Sequence, residues 1–265
     1  RRLGAAIASV AVVMTGIGGV ASASAATTSP QPALRACDVK SAGPGADLRS
    51  CDLHGANLFR ADLTNANLSG ADLSGANLAQ TTLKSANFTD ANLTGASLFG
   101  AHIEEQISNK PQGPGPDFSR ANLTDAKLTS AEITFAKFDH ATAVRTHFGS
   151  SKLTQSSFVG TNLHDAGFAS ATLINTDFSG ADLNSARLPS VFATGSKFVG
   201  AQLYRAQLNS SRMDNANFTH ATMQEVTANH ADFTGALFDN ADLSRASAKS
   251  SIFSGSMKNV KLDGG

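Results

Sequence analysis

The sequence contains no tryptophan and only one tyrosine, and its charges balance. Its 265 residues include 21 basic and 21 acidic side chains. Without Trp and with a single Tyr, the chain lacks the aromatic platforms on which bases or sugars stack. The balanced charge predicts neither a basic face for phosphate groups nor the dense negative surface of a protein that imitates DNA. Composition therefore predicts that the protein does not bind nucleic acid.

Motifs for catalysis and for cofactor binding are also missing. The seven histidines are scattered along the chain, and the nearest approach to a metal site is His102 with Glu104 and Glu105. A solvated polar corner explains that cluster better than a metal does. The sequence has no glycine-rich phosphate loop and no nucleophile elbow. We therefore predict a protein that is not an enzyme, with no catalytic residue, no cofactor and no metal ion.

A five-residue repeat dominates what is present. From Leu48 to Phe253 the unit Ala-(Asp/Asn)-Leu-(Ser/Thr)-Gly recurs 42 times in one frame. The central residue is Leu, Phe, Ile or Met in 36 units, and the residue two before it is Ala in 27. A period of five fits neither a helix nor a flat strand. Since no single unit can bury a core, the units must stack into a solenoid with both apolar positions pointing inward.

The phenylalanine positions indicate how many units form one coil. Seven central phenylalanines recur every twenty residues, from Phe118 to Phe238. A four-sided coil would stack these rings in one column, whereas a three-sided coil would place Phe118 against Ile133. We therefore predict about ten four-sided coils, about 4.8 Å apart, in which residues twenty apart are adjacent from residue 48 onwards.

The tandem A-(D/N)-L-x-x units resemble those of the pentapeptide-repeat family, whose members form a right-handed quadrilateral β-helix. The resemblance extends over about four fifths of the chain. It implies an all-β fold for residues 48–265, and it supplies the handedness, which the spacing alone does not give.

Residues 1–25 are predicted to be a secretory signal peptide. Arg1 and Arg2 precede an apolar run, and the sequence Ala-Ser-Ala that ends at Ala25 matches a cleavage site, so we expect cleavage after Ala25 and secretion. The alternative is a single membrane anchor, because the apolar run is just long enough to span a bilayer. Residues 26–36 are predicted to be a disordered tether, and residues 37–47 an N-terminal cap.

The two cysteines, Cys37 and Cys51, flank the start of the repeats. In an oxidising compartment the simplest expectation is a disulfide that closes the cap over the first coil. The alternative is that Cys51 fills the small inward position that Ala occupies in other units.

The repeat frame changes near the C-terminus. Lys258 falls where the next central residue is expected, and a slip of one residue restores the pattern with Met257 and Leu262 as centres. No capping helix follows, so we expect an open last coil, which would permit an end-to-end dimer.

One interruption falls at residues 106–115, which are rich in Pro and Gly and place Ser108 and Gly113 at the expected centres. The segment is two units long. It is either a pair of degraded units that fill the two sides below Leu128 and Ile133, or a projecting recognition loop. In the second case the candidate contact residues are Ile107, Asn109, Lys110 and Gln112.

The outer surface offers one further candidate. Phe59, Phe99, Val159 and Val199 each follow a centre in the same twenty-residue frame, which predicts a shared edge and a binding stripe. The alternative is that they are the scattered apolar residues found on most surfaces. Three pairs of opposite charge are also twenty residues apart and predict exposed ion pairs: Glu132–Lys152, Asp177–Lys197 and Arg212–Asp232.

These patterns favour a secreted, non-enzymatic scaffold that displays regular faces to an unknown protein or cell-envelope partner. Membrane contact is expected only if the signal segment stays uncleaved. The alternative resembles the gyrase-protecting members of the family, which imitate DNA and block a topoisomerase. The export signal and the balanced charge oppose this alternative.

Overall fold

Parallel pairing between residues of successive coils builds the fold. The computed structural model describes residues 34–103 and 114–262, which belong to one compact unit, Pro32–Gly265. Four two-residue strands are present: β1 (Arg35–Ala36), β2 (Cys51–Asp52), β3 (Asp232–Phe233) and β4 (Ile252–Phe253). β1 pairs with β2, and β3 with β4, in parallel. A short 3-10 helix lies at Val39–Ser41. Elsewhere each repeat contributes a single paired residue, as Asp62 does with Thr82.

Each coil has four five-residue sides, as the sequence predicts. We number the sides by their first central residues: side 1 starts at Leu48, side 2 at Leu53, side 3 at Leu58 and side 4 at Leu63. The residue before each centre pairs with its counterparts in the two neighbouring coils. Within the described residues, side 1 has ten such centres in the regular frame, the last of them Phe238.

Each side ends in a tight turn. The N–H of Ala76 donates to the carbonyl of Leu73 at 2.9 Å, and Gly75, the third residue of that turn, has φ +65°. A positive φ at this position is typical of a type II turn. Between coils, the N–H of Leu73 donates to the carbonyl of Asn92 at 2.7 Å, and that of Gly75 to Thr94 at 2.9 Å. The repeat therefore satisfies its backbone along the stack while it bends every five residues.

The central residues and the small residues two positions earlier fill the interior. On side 1, a column of rings runs from Phe88 to Phe238, with neighbouring centroids 4.5–5.0 Å apart and ring planes within 13° of parallel. Phe148 of side 3 meets Phe138 edge-on, at 5.6 Å and 89°. Stacked and edge-to-face contacts are both favourable arrangements of aromatic rings, so the two opposite sides pack together at the centre of the coil.

Hydroxyl groups inside the coil are satisfied by the coil next to them. Thr161 replaces the usual inward Ala, and its Oγ1 donates to the carbonyl of Phe138 at 2.7 Å. Thr176 makes the same bond to Leu153 at 2.9 Å. In the described part of the chain every buried side-chain nitrogen or oxygen has a hydrogen-bond partner. Small polar residues thus replace Ala without leaving unsatisfied groups.

At the interruption the pairing distance along the chain is thirty residues instead of twenty. Asn87 pairs with Asp117, and His102 pairs with Glu132, in each case thirty residues apart. The expectation that residues twenty apart are adjacent throughout is therefore wrong for this coil. The reason is that residues 104–113 are additional to the coil, so the stack continues from Ile103 to the unit that starts at Pro116.

The same pairing decides between the two interpretations of residues 106–115. The sides below Leu128 and Ile133 are occupied by Leu98 and Ile103, because Ser97 pairs with Lys127 one position earlier. The interpretation as two degraded units that wrap these sides is therefore wrong. The chain returns at Pro114, whose carbonyl accepts the N–H of Ser85 at 3.1 Å.

The N-terminal end of the stack is capped. Cys37 and Cys51 form the predicted disulfide, with Cα atoms 5.6 Å apart. Arg35 and Ala36, which were expected to belong to the disordered tether, instead form strand β1, and the Arg35 Nε donates to the carbonyl of Arg49 at 2.8 Å. The adjacent disulfide holds this strand against the first coil. Residues 1–25, the predicted signal peptide, lie outside the described residues.

The predicted one-residue slip is present at the other end. Asp242 pairs with Lys261, nineteen residues away, and the N–H of Phe238 donates to the carbonyl of Ser256. Met257 and Leu262 are 39% and 62% exposed, and the centres Ala248 and Phe253 before them are only partly buried, in contrast to the buried centres of the earlier coils. Within residues 34–103 and 114–262, no helix has the length and apolar character to cross a membrane.

The phenylalanine column predicts a large difference between inward and outward rings. Phe178 is fully buried in the middle of the column, whereas Phe59 is 47% exposed. We expect Phe178→Ala to lower the free energy of unfolding by about 3–5 kcal/mol, because it leaves a cavity between stacked rings. Phe59→Ala should cost less than about 1 kcal/mol. Chemical denaturation of both variants measures this, and equal losses would contradict the assigned inward face.

A second prediction concerns the return of the chain to the coil at Gly115. A Cβ added there would lie 2.4 Å from the carbonyl oxygen of Thr134, whereas one added at Gly167 would meet nothing within 4 Å. Gly115→Ala should therefore destabilise the protein by about 1–3 kcal/mol. Gly167→Ala is the matched control and should be neutral or slightly stabilising, because its φ is not in the left-handed region. Thermal melting that ranks Gly167→Ala as the less stable variant would refute the close approach.

Candidate functional site

The predicted recognition loop lies outside the described residues. This applies to all four of its candidate contact residues: Ile107, Asn109, Lys110 and Gln112. The stack is described up to Ile103 and again from Pro114, at the corner between side 4 and side 1, and these four residues fall in the interval between. Their role in recognition stays a prediction.

The predicted stripe of outward apolar residues does not exist as one edge. Phe59 and Phe99 follow centres of side 3, and the N–H of Gly100 donates to the carbonyl of Thr129 in the next coil of that side. Val159 and Val199 follow centres of side 1. Ten extra residues equal two sides, so residues in the same twenty-residue frame lie on opposite sides before and after the interruption. The prediction of a shared edge is therefore wrong.

The recurring Asp and Asn residues act on the turns rather than on a substrate. The Oδ1 of Asp62 accepts the N–H of Thr64 at 3.0 Å. The Oδ1 of Asn92 accepts both the N–H of Thr94 at 3.2 Å and its hydroxyl at 2.7 Å. Because the Asn amide and the Asp carboxylate both accept the hydrogen bond that closes the turn, the repeated carboxylates give no evidence of acid–base chemistry.

Two of the three predicted ion pairs are present. Lys152 lies 2.7 Å from Glu132, and Lys197 lies 3.3 Å from Asp177. Arg212 instead has its guanidinium over the ring of Phe192, 6.0 Å from the centroid. The pKa of Asp232 is lowered mainly by hydrogen bonds from Thr234, with the charge of Arg212 a smaller cause. The third pair is therefore not a direct contact.

The corner that follows side 2 carries alternating charges. Arg145 binds Asp125 at 2.7 Å, and Arg205 binds Glu225 at 2.8 Å. The hydrogen bond from Arg145 is the main reason why the pKa of Asp125 is low, and the bond from Arg205 does the same for Glu225. Tyr204 joins this cluster, with its hydroxyl 3.3 Å from Glu225. Asp125 and Glu225 are thus held ionised and paired.

Charge is distributed unequally over the four sides. In the described residues, sides 1, 2 and 4 all carry carboxylates, but the units of side 3 carry none. Side 3 carries four cations, Arg60, Lys127, Arg187 and Lys249. The ten centres that define it are Leu58, Leu78, Leu98, Leu128, Phe148, Phe168, Leu188, Leu208, Ala228 and Ala248. This carboxylate-free face could not be recognised from the balanced total charge, because composition does not report which side a residue occupies.

No metal centre is formed by the described residues, among which no group of three or more His, Cys, Asp or Glu residues could hold an ion. A ring nitrogen of His102 lies 3.2 Å from the hydroxyl of Thr82. Glu104 and Glu105, the other members of the cluster considered from the sequence, lie outside the described residues.

A family model described as pentapeptide repeats matches this chain in eight copies. The matched residues are 44–65, 61–104, 115–142, 146–184, 162–198, 176–215, 193–224 and 216–255. The chain belongs to the pentapeptide-repeat family. The family match stops at residue 104 and resumes at 115, which agrees with the ten residues that the pairing places outside this pentapeptide-repeat coil.

Solved structures similar to this pentapeptide-repeat chain are themselves pentapeptide-repeat proteins. HetL, involved in heterocyst differentiation regulation in the cyanobacterium Nostoc sp. strain PCC 7120, is 28% identical, with 78% of this chain and 87% of HetL covered and a TM-score of 0.31. QnrB1, a plasmid-mediated fluoroquinolone resistance protein, is 20% identical at full length, with 78% and 89% covered and a TM-score of 0.32. A protein of the Arabidopsis thaliana thylakoid lumen is 26% identical, with 35% and 61% covered and a TM-score of 0.26. No match was found among curated proteins.

The turn carboxylates predict how stability depends on pH, with Asp242 as the clearest case. Burial raises the pKa of Asp242, but hydrogen bonds from Ser244 and Gln224 and the charge of Lys261 outweigh this and lower it to about 2. A lowered pKa adds stability above the ordinary Asp pKa near 4, and this stability is lost as the pH falls towards 2.

Asp242→Asn should therefore reduce the loss of melting temperature between pH 5 and pH 2.5, since Asn keeps a turn acceptor but does not titrate. Thr222→Asn, at the equivalent position one coil earlier, is the control and should leave that loss unchanged. If Asp242→Asn melts with the same pH dependence as the unmodified protein, the carboxylate does not stabilise the coil in this way.

Proposed function

We propose that this pentapeptide-repeat protein is a secreted, non-enzymatic scaffold, a right-handed four-sided β-helix that presents its sides to a protein or cell-envelope partner. The observation that supports this most is that each position of the five-residue unit has its own structural role. Centres and small residues fill the core, and Asp and Asn before the centre close the turns, as Asp72 does for Ser74 at 2.9 Å. Where a residue other than Asp or Asn stands before the centre, its side chain faces outward and is free to vary. Successive members of the outward column on each side are about 4.8 Å apart.

The outward columns differ from side to side although the backbone is the same. Lys137, Thr142, His147 and Lys152 are consecutive outward residues of one coil, one on each side, and all are exposed. Such columns offer a partner a regular spacing of groups on a rigid support, as solenoid proteins do. A scaffold of this kind recognises its partner through the outward side chains of one side rather than through a pocket.

The alternative, a protein that imitates DNA and protects a topoisomerase, gains no support from the carboxylates. A DNA mimic needs dense negative charge along its surface. Here the carboxylates of the corner after side 2 alternate with cations, as in Asp125 and Arg145, and side 3 has none in its described units. We expect no effect of the protein on DNA supercoiling by gyrase.

Photo-crosslinking in the producing cell tests the scaffold proposal. A photoreactive residue is placed at one outward position per side, at residues 137, 142, 147 and 152, and in a second set at 197, 202, 207 and 212. We expect discrete crosslinked products from one side at both heights, because a partner that lies along a side contacts successive coils. Crosslinks from no side at either height would overturn the proposal.

Secretion is tested separately by the N-terminal residue of the protein outside the cell. Cleavage after Ala25 predicts Ala26 as that residue. Recovery of the uncleaved chain from the membrane fraction would instead support the anchor alternative.

A further inference from the structure

Side 3 combines positive charge with exposed aromatic rings. Its four cations, Arg60, Lys127, Arg187 and Lys249, extend from the first to the last coil, over about 43 Å at a rise of about 4.8 Å per coil. No Asp or Glu occurs in any of its described units. On other sides lysines meet carboxylates, as Lys152 does with Glu132 on side 4 at 2.7 Å and Lys197 with Asp177 on side 1 at 3.3 Å.

The cations in the middle of side 3 keep their charge unneutralised. Among the described residues, Lys127 and Arg187 take part in no ion pair. The carboxylates of the corner that precedes side 3 have other partners. Asp165 lies 3.0 Å from His164. Asp125 binds Arg145 at 2.7 Å, and Glu225 binds Arg205 at 2.8 Å. The positive charge of side 3 therefore remains available to an external anion.

The same side exposes two phenyl rings at its N-terminal end. Phe59 and Phe99 are 47% and 48% exposed and lie two coils apart in one column, with Ala79 between them. The guanidinium of Arg60 lies over the ring of Phe59, 5.1 Å from its centroid. Further along this column the outward residues are small or compact: Thr129, Gly149, Ala169 and Pro189. From Phe59 to Asn229 this column therefore holds no charged side chain, and its one long polar residue is Lys249 in the last coil.

We propose that side 3 docks on the surface of an anionic lipid bilayer, with Phe59 and Phe99 entering the interface and the cations facing lipid phosphates. This inference rests on the proposed scaffold function and names the partner of one side. A soluble polyanion would satisfy the cations but leave the two rings in water. A bilayer satisfies both, because aromatic side chains favour the headgroup region and basic residues are attracted to anionic lipids. The flat side of a coil also matches a planar surface.

This contact differs from the membrane contact considered from the sequence, which depended on an uncleaved signal segment. It needs no spanning element, since side 3 would lie on the bilayer rather than in it. Arg187 and Lys127 are three coils apart, about 14 Å, so each can meet a separate headgroup.

Vesicle co-sedimentation of the full chain tests the proposal. The measured quantity is a ratio, namely binding to vesicles of three parts phosphatidylcholine and one part phosphatidylglycerol divided by binding to pure phosphatidylcholine vesicles. Any uncharged contribution of residues 1–25 cancels in this ratio. We expect preference for the anionic vesicles, reduced about 10- to 30-fold in the double variant Lys127→Gln/Arg187→Gln. The matched control, Lys137→Gln/Lys197→Gln on side 1, removes the same charge and should keep the preference.

The aromatic contribution has its own matched pair. Phe59→Ser/Phe99→Ser should weaken binding to anionic vesicles at least about fivefold, because the rings lose the interface. Phe135→Ser/Phe192→Ser removes two rings that are 38% and 48% exposed on side 4, and should bind like the unmodified protein. Melting temperatures of all variants establish that each is folded.

Three outcomes would overturn the inference. They are equal binding to both kinds of vesicle, equal loss in the side 3 and control variants, and binding to soluble polyphosphate but not to anionic vesicles. The last outcome would identify the ligand as a soluble polyanion. Crosslinks to a protein from another side, together with failure to bind vesicles, would leave the scaffold function standing and remove only the lipid surface. Failure of every crosslink, with vesicle binding that depends on side 3, would remove the protein partner instead.

Discussion

The stack depends on one geometric constraint, which is that the backbone must pair with the coils on both sides and still turn a corner every five residues. Pairing fixes the separation of coils, so only small residues fit two positions before each centre, as Ala71 and Ala76 do in complete burial. The corner requires a positive φ at every fifth residue. Gly75 meets this requirement without strain, whereas Phe135 at φ 57° adopts a conformation that bulky residues rarely take.

The hydrogen bonds explain why the repeat tolerates variation in some positions only. Asp and Asn before the centre exchange freely because either oxygen accepts the turn N–H, and the inward Ala can become Thr because a carbonyl of the neighbouring coil accepts its hydroxyl. Thr146, which donates to the carbonyl of Leu123 at 2.7 Å, is one example. A larger inward residue would not fit between the coils in this way. Stability is thus spread along the stack, and no single coil holds a special core.

Much of this architecture could be predicted from the sequence, since the period of the apolar residues reports the length of one side and the phenylalanine spacing reports the number of sides in a coil. The disulfide and the slip before Met257 were also predictable, because each leaves a local signal. The step from Phe88 to Phe118 was not. An insertion of two whole units keeps the five-residue frame, so periodicity continues across it while the side assignment changes. The candidate stripe of Phe59 and Val159 failed for this reason, and the carboxylate-free side 3 could be recognised only after the sides were assigned correctly.

The ten-residue insertion also has a consequence for how such surfaces can change. Whether a residue points inward depends only on its position within the five-residue unit. The side of the coil on which it lies depends on how many whole units precede it in the stack. Adding or removing one whole unit would rotate every later column by a quarter of a revolution and leave each centre in the core. The N-terminal third of side 3, with its two rings, and the later part, with Lys127 and Arg187, belong to one face because the ten extra residues lie outside the coil and add no quarter-turn. Had those ten residues wrapped two sides, Lys127 and Arg187 would lie on side 1. New faces can thus be assembled from old columns by changes of length alone, with no redesign of what is inside.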